Sequence, residues 1–347
     1  MEQWNNRSPT PFSAASKAVT VRRALQEGAE FLSRAGIESA RLDAELLLGK
    51  AVGRAREALY RDYQVILVAG EQRVYESLLE RRARGEPLAY ITGEREFWSL
   101  PFYVTSDVLV PRPETEILVE VTLELAKKMA PRHTIRILDL GTGSGAIAVA
   151  LAGELGAAEV WATDLSARAL EVARTNGARH EVCDKIRFLQ GDTLEPVKNR
   201  ERIFDLVVSN PPYVRRAELP RLTPEVRDWE PGLALDGGAD GLDFYRRISQ
   251  EAHLYLADGG FVALEIGADM GAEVCRLFAG TGYYDAPSVY QDYWSRKNFS
   301  LMRRHPKGTL QPADLRFEIC DMRSERGSTA LPSTPRLSSP KSSSGPE

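Results

Sequence analysis

The chain has 347 residues, 27% charged and 43% hydrophobic, the proportions of an ordinary soluble protein with one large core or two. A net charge of -4 and a pI near 5.8 give no global attraction to phosphate backbones. No apolar run approaches the ~20 residues of a membrane span, and Met1 to Ala18 lacks the layout of a signal peptide, so a cytoplasmic protein with no membrane partner is expected.

Residues 1–18 are polar, contain Ser and Pro, and carry no apolar period, which reads as a flexible arm. From Thr20 a helical pattern begins, with Val21, Leu25, Gly28 and Leu32 on one face and Gly36 placed to end it. A second helix follows from Ser39 with Leu42, Leu46, Leu47 and Leu48 before Gly53. A third covers Arg56 to Tyr60, and a fourth runs from about Glu71 to Gly85 with Val74, Leu78 and Leu79. Short amphipathic helices cannot hide their stripes alone, so 19–84 is expected to form a small bundle. Residues 1–100 hold fifteen Lys/Arg and fourteen Asp/Glu, with no basic stripe.

From Gly85 to Val110 the composition turns aromatic and β-branched, through Leu88 to Gly93 and Phe97 to Val104, and predicts a β-hairpin connector over 85–110. Pro113 suits the first turn of a helix running to about Met129, where Glu114 and Glu116 complement the helix dipole or reach an active site. Residues 111–305 then alternate strand and helix as in a parallel α/β sheet. Strands are expected at Ile135 to Leu140, Glu159 to Thr163, Ile186 to Gln190, Ile203 to Ser209 and Gly260 to Ile266. Helices are expected at Gly145 to Leu155, Ser166 to Ala178, Gly241 to Leu256 and Met270 to Gly280, with two last strands near Ala286 to Gln291 and Asn298 to Arg303. The Ser/Pro-rich end, within 306–347, reads as a disordered tail. Cys183, Cys275 and Cys320 have no metal-ligand spacing with His133, His180, His253 or His305, so neither a metal site nor a structural disulfide is expected.

Four strand ends carry the chemistry. Asp139, Gly141, Thr142, Gly143, Ser144 and Gly145 close the first strand and open a helix, with glycines that let backbone approach a ligand at a helix N-terminus. The spacing is G-x-G-x-G, not that of dinucleotide binders. Asp164 ends the second strand, where a carboxylate can accept both hydroxyls of a ribose; its other reading is the N-cap of the helix at Ser166. Asp192 and Thr193 close the third, where an acid can accept from an adenine amino group or merely form a turn. No Lys is arranged for a triphosphate, so the pocket reads as an adenosine site, and S-adenosylmethionine fits better than a hydride carrier. After the fourth strand come Asn210, Pro211, Pro212 and Tyr213. Consecutive prolines stiffen this turn and push Asn210 out of the α region. The Asn210 side-chain oxygen and the Pro211 carbonyl can then accept from one planar NH2 group, with Tyr213 packed on its plane or built into the core.

Taken together, Glu96 to Phe102, Pro111 to Glu116, Asp139 to Gly145 and Asn210 to Tyr213, in that order behind a helical segment, resemble the peptide chain release factor glutamine N5-methyltransferase family (HemK/PrmC). The resemblance covers about Val21 to Arg304. It implies a Rossmann-like class I methyltransferase sheet, S-adenosyl-L-methionine as cofactor, and transfer of methyl to the amide nitrogen of the glutamine in a release factor's G-G-Q loop. It also implies that the helical domain and connector grip that protein, with Asn210 to Tyr213 catalytic and Asp139 to Gly145, Asp164, Asp192, Thr193 and Asn210 on the cofactor. A monomer is expected. Thr193 stands where the family often has an aromatic residue, and Asp292 to Asn298 matches only loosely. The alternative is methylation of an exocyclic amine of adenine or guanine in DNA or RNA, which calls for a basic surface; nucleic acid is therefore not the expected substrate. A binding module that keeps the fold without catalysis is a third reading.

Overall fold

The computed structural model describes residues 19–129, 134–200, 203–291 and 298–304. The expected arm at 1–18, the tail at 306–347 and all but the last residue of the loosely matching stretch Asp292 to Asn298 lie outside the described residues.

Four helices, α1 (Val21–Arg34), α2 (Ala40–Val52), α3 (Arg56–Arg61) and α4 (Ala69–Ala83), form the expected bundle. Thr20 caps α1 by accepting the amide of Arg23, and Val21, Ala24, Gly28 and Leu32 line its buried face. Gly28 is required by packing: a Cβ there would lie 2.1 Å from the hydroxyl of Tyr75. That hydroxyl, buried from α4, donates to the Ala44 carbonyl of α2 at 3.2 Å. The α4 stripe is therefore Tyr75, Leu78 and Leu79, and Val74 and Leu42, expected inside, are exposed.

The connector differs from expectation in its first half. Leu88–Thr92 is a helical turn, α5, between Pro87 and Gly93, because its side chains serve two cores. Ile91 joins the bundle, while Ala89 and Tyr90 pack with Val104, Val108 and Val172. The hairpin is confined to β1 (Glu94–Phe97) and β2 (Leu100–Tyr103), paired Phe97 to Leu100. Its two turn residues, Trp98 and Ser99, both have positive φ, the twist a two-residue hairpin needs but glycine usually supplies. Glu116 accepts the Trp98 amide at 2.8 Å and holds that turn. Buried Asn176 pins the hairpin from behind, bonding both backbone groups of Tyr103 and donating to the Ser144 carbonyl of the glycine loop.

The rest alternates α6 (Thr115–Met129), β3 (Ile135–Leu140), α7 (Ala146–Glu154), β4 (Ala158–Asp164), α8 (Ala167–Arg179), β5 (Ile186–Gln190) and β6 (Phe204–Ser209). The short α9 (Pro224–Arg227), α10 (Asp243–Glu251), β7 (Leu256–Ile266), α11 (Gly271–Thr281), β8 (Ser288–Gln291) and β9 (Asn298–Arg303) complete it. Among the described residues seven strands form one sheet, ordered β5-β4-β3-β6-β7-β9-β8. It is parallel except where β9 pairs antiparallel with β7 and β8. The strand order turns around between β3 and β6, and ligands settle at such a switch point beyond the carboxyl ends of the strands. The glycine loop follows one of these strands and Asn210 the other.

Candidate active site

Gly141, Gly143 and Gly145 all take positive φ, so the loop after β3 turns sharply before α7 begins, with the amides of Thr142 and Gly145 donating to the carbonyls of Thr163 and Thr142. Gly145 N-caps α7, and a Cβ there would meet Ala173 at 3.0 Å. Beneath the loop Asp139 is fully buried, accepting the Thr142 hydroxyl at 2.7 Å. Burial pushes its carboxyl up to about 7, against the downward pull of the Thr142 bond.

Asp164, at the end of β4, accepts the Gly143 amide on Oδ2 and the Ser166 amide on Oδ1, each at 2.9 Å. The cap of α8 is the Ser166 hydroxyl, which accepts from Ala169. Asp164 is thus spared for the cleft, with a further lone pair on each oxygen for a diol. Burial raises its pKa and the two amides lower it. After β5, both oxygens of Asp192 accept Nη1 of Arg247, 2.8 Å away, a partner on α10 that no local pattern announces. Thr193 has φ 50, a strained conformation for a β-branched residue, and its carbonyl accepts the Thr163 hydroxyl at 3.1 Å.

Gly141, Thr142, Gly143, Ser144, Asp164, Asp192, Thr193, Asn210, Pro211 and Pro212 line one cleft. Space is open above Gly141 and Gly143, where an added Cβ would meet nothing within 4 Å, and apolar Val108, Leu109 and Ile147 supply the walls. An adenosine moiety fits this donor and acceptor set. Three expected site residues lie outside the lining. Asp139 is buried below the loop, and Gly145 is taken up by the turn into α7. Tyr213, half-buried, packs against the sheet's core beside Gly267. Glycines shape this corner: a Cβ on Gly237 would strike the Tyr213 backbone at 2.7 Å, and one on Gly267 would touch its ring at 3.6 Å.

Asn210 extends the cleft toward α6. Its Nδ2 donates to Thr115 Oγ1 at 3.0 Å, and that hydroxyl donates to Glu265 Oε2 at 2.7 Å. Arg112 also lines the cleft, with Nη2 bonded to both oxygens of the buried Glu230 at 2.7 and 2.8 Å. Glu114 and Glu116 are outside the lining.

Two family models match: the PrmC N-terminal domain over residues 23–93 and the methyltransferase small domain over residues 117–223. The chain is 43% identical over 266 residues to the release factor glutamine methyltransferase of Geobacter sulfurreducens, covering 77% of this chain and 90% of that protein. It is 43% identical over 286 residues to the one of Moorella thermoacetica, 82% of this chain and 99% of that protein. The chain belongs to the release factor glutamine methyltransferase family. Membership brings the class I methyltransferase fold and S-adenosylmethionine as methyl donor. The fold is shared more widely, for the hMettl16 catalytic domain in complex with an RNA hairpin superposes with a TM-score of 0.50 at 17% identity, covering 68% of this chain and 84% of that one. Among the described residues no helix is long and apolar enough to cross a membrane.

Proposed function

We propose that this enzyme methylates the side-chain amide nitrogen of the glutamine in the G-G-Q loop of peptide chain release factors. The observation that carries this reading is the place of Asn210: its carboxamide stands in the same cleft as the glycine loop and Asp164, beyond the end of the neighbouring strand. In this reading Asp164 holds the ribose of the cofactor and Asp192 the adenine amino group. Bound S-adenosylmethionine supplies an electrophilic methyl group.

A glutamine amide nitrogen is a poor nucleophile because its lone pair is shared with the carbonyl. Asn210 Oδ1 and the Pro211 carbonyl, accepting its two N–H bonds, orient that nitrogen and favour the positive charge that grows on it during transfer. Orientation of this kind is worth ~7 to 11 kcal/mol of barrier. Residues 19–84, which the match to the PrmC N-terminal domain covers from residue 23 onward, recognise the release factor. Such a substrate places the enzyme in the cytoplasm, where it acts as a monomer.

Incubation with tritiated S-adenosylmethionine and either purified release factor or bulk RNA and DNA separates this reading from nucleobase methylation. Label in the G-G-Q peptide, absent when its glutamine is replaced by alanine, is expected. Label in nucleic acid alone would overturn the reading.

A further inference from the structure

We propose that Thr115 and Glu265 are positioning residues that set which end of the Asn210 carboxamide faces the substrate. The inference rests on the reading above and deepens it.

The two ends of a carboxamide are nearly equal in size, so packing alone cannot choose between them. Only an oxygen presented to the cleft can accept from a substrate NH2 group; a nitrogen there would set donor against donor. The choice is made by a chain of three residues from three elements. The pairing of Ser209 with Leu264 brings Asn210, just past β6, level with Glu265 on β7. Thr115 opens α6 between them. Thr115 and Glu265 are 5% and 3% exposed, so water does not compete for their bonds. A hydroxyl could in principle donate to Asn210 Oδ1 or accept from Nδ2. The Glu265 carboxylate removes that freedom: it accepts the Thr115 hydroxyl at 2.7 Å, which leaves that hydroxyl only its lone pairs for Asn210. Nδ2 therefore turns to Thr115 at 3.0 Å, and Oδ1 is the end left for the substrate. The Tyr245 hydroxyl, donating to the Glu265 carbonyl at 2.8 Å, fixes the strand that carries the carboxylate. Bonds in such a chain polarise one another, which adds electron density at Oδ1 where the charge on the methylated nitrogen develops.

The test uses the full chain with Thr115→Val, which keeps shape and loses the hydroxyl, and Thr115→Ser, which keeps the hydroxyl. In Thr115→Val, kcat on release factor should fall roughly 10- to 100-fold, the usual effect of removing a partner that orients a functional group, while KM and the cofactor Kd stay within about twofold. Thr115→Ser should retain kcat within about threefold. A merely structural residue would not split kcat from KM, nor be rescued by serine. Should Thr115→Val fail to fold, Glu265→Gln replaces it: its carboxamide can offer Thr115 a donor, so kcat should again fall with KM unchanged. A second readout needs no methyl acceptor. The Asn210 side-chain amide, assigned in 1H–15N spectra by its loss in Asn210→Ser, should exchange slowly in the parent chain and in Thr115→Ser but fast in Thr115→Val. Unchanged kcat in an active Thr115→Val enzyme, or exchange equal to that of the parent, would overturn the inference. Failure of the parent chain to label release factor would sink the proposed substrate instead and leave the exchange result to decide this one.

Discussion

Asp164 accepts the main-chain amide of Gly143 at 2.9 Å, so the acid ending β4 and the glycine loop ending β3 hold each other in place. Its other oxygen takes the amide of Ser166. Asp164→Ala should therefore act twice. Losing hydrogen bonds between a charged acceptor and a ribose should weaken S-adenosylmethionine binding by at least about 10-fold in calorimetry. Two stranded N–H groups should lower the stability of the ligand-free enzyme by about 1–3 kcal/mol in urea denaturation. A lowered stability with an unchanged Kd would leave Asp164 a structural acid only.

Asn210→Ala removes the acceptor without touching the glycine loop. Loss of one preorganised polar group at a reacting centre costs on the order of 100- to 1,000-fold in kcat, and that loss is expected here with the cofactor Kd held within about twofold. Parallel loss of turnover and of cofactor binding would show that Asn210 serves the shape of the cleft and not the chemistry.

What could be read from the sequence follows from how local the signals are. Ile135–Leu140 and Ile186–Gln190 match their expected bounds, because short stretches rich in Ile, Leu and Phe between turn residues read as strands beside a helical alternation. The glycine loop and the double proline were visible because each constrains its own backbone. Leu88–Thr92 has an aromatic and β-branched composition that suits a strand, but Leu88 and Ile91, three apart, face the bundle while Ala89 and Tyr90 face the other cluster, a spacing that a helical turn gives and strand alternation does not. The partners of the site residues were out of reach altogether. Glu265 lies 150 residues from Thr115, Glu230 lies 118 from Arg112 and Arg247 lies 55 from Asp192. No periodicity joins residues so far apart; the sheet topology does.

Asp139 gives the enzyme a stability that depends on pH. Burial lifts its carboxyl to about 7, far above the ~3.9 of an unfolded chain. Between these values the folded state binds more protons than the unfolded one, so this group makes stability fall as pH rises from about 4 to about 7, with no further change above. Asp139→Asn keeps the volume and removes the titration. The Tm difference, variant minus parent, should therefore climb across that window and level off beyond it. Taking the difference cancels the titrating groups that Asp139 does not touch; Asp164, whose charge helps to raise the Asp139 pKa, stays coupled to it. A difference that stays flat from about pH 4 to about 7 would show that Asp139 is ionised throughout.

Arg112 and Glu230 tie the wall of the cleft to the segment that follows Tyr213. The Glu230 side chain is 1% exposed and that of Arg112 is 28% exposed, so the carboxylate depends on its partner far more than the guanidinium does. Burial raises the Glu230 pKa, and Arg112 works against that rise. In Arg112→Ala the buried carboxylate keeps the Val110 amide but loses its counter-charge, a loss of about 3 kcal/mol at neutral pH and above. At lower pH the orphaned acid can take up a proton and the loss should shrink. The sign follows from a folded pKa raised further in the variant than in the parent: the variant's deficit grows as pH climbs from the parent's folded pKa to the variant's. Urea denaturation of parent and variant at about pH 5 and about pH 8 measures it. Glu230→Gln, which leaves Arg112 an acceptor and no buried charge, should lose less than Arg112→Ala at the higher pH. Equal deficits for Arg112→Ala at both pH values would mean that Glu230 finds other solvation when Arg112 is gone.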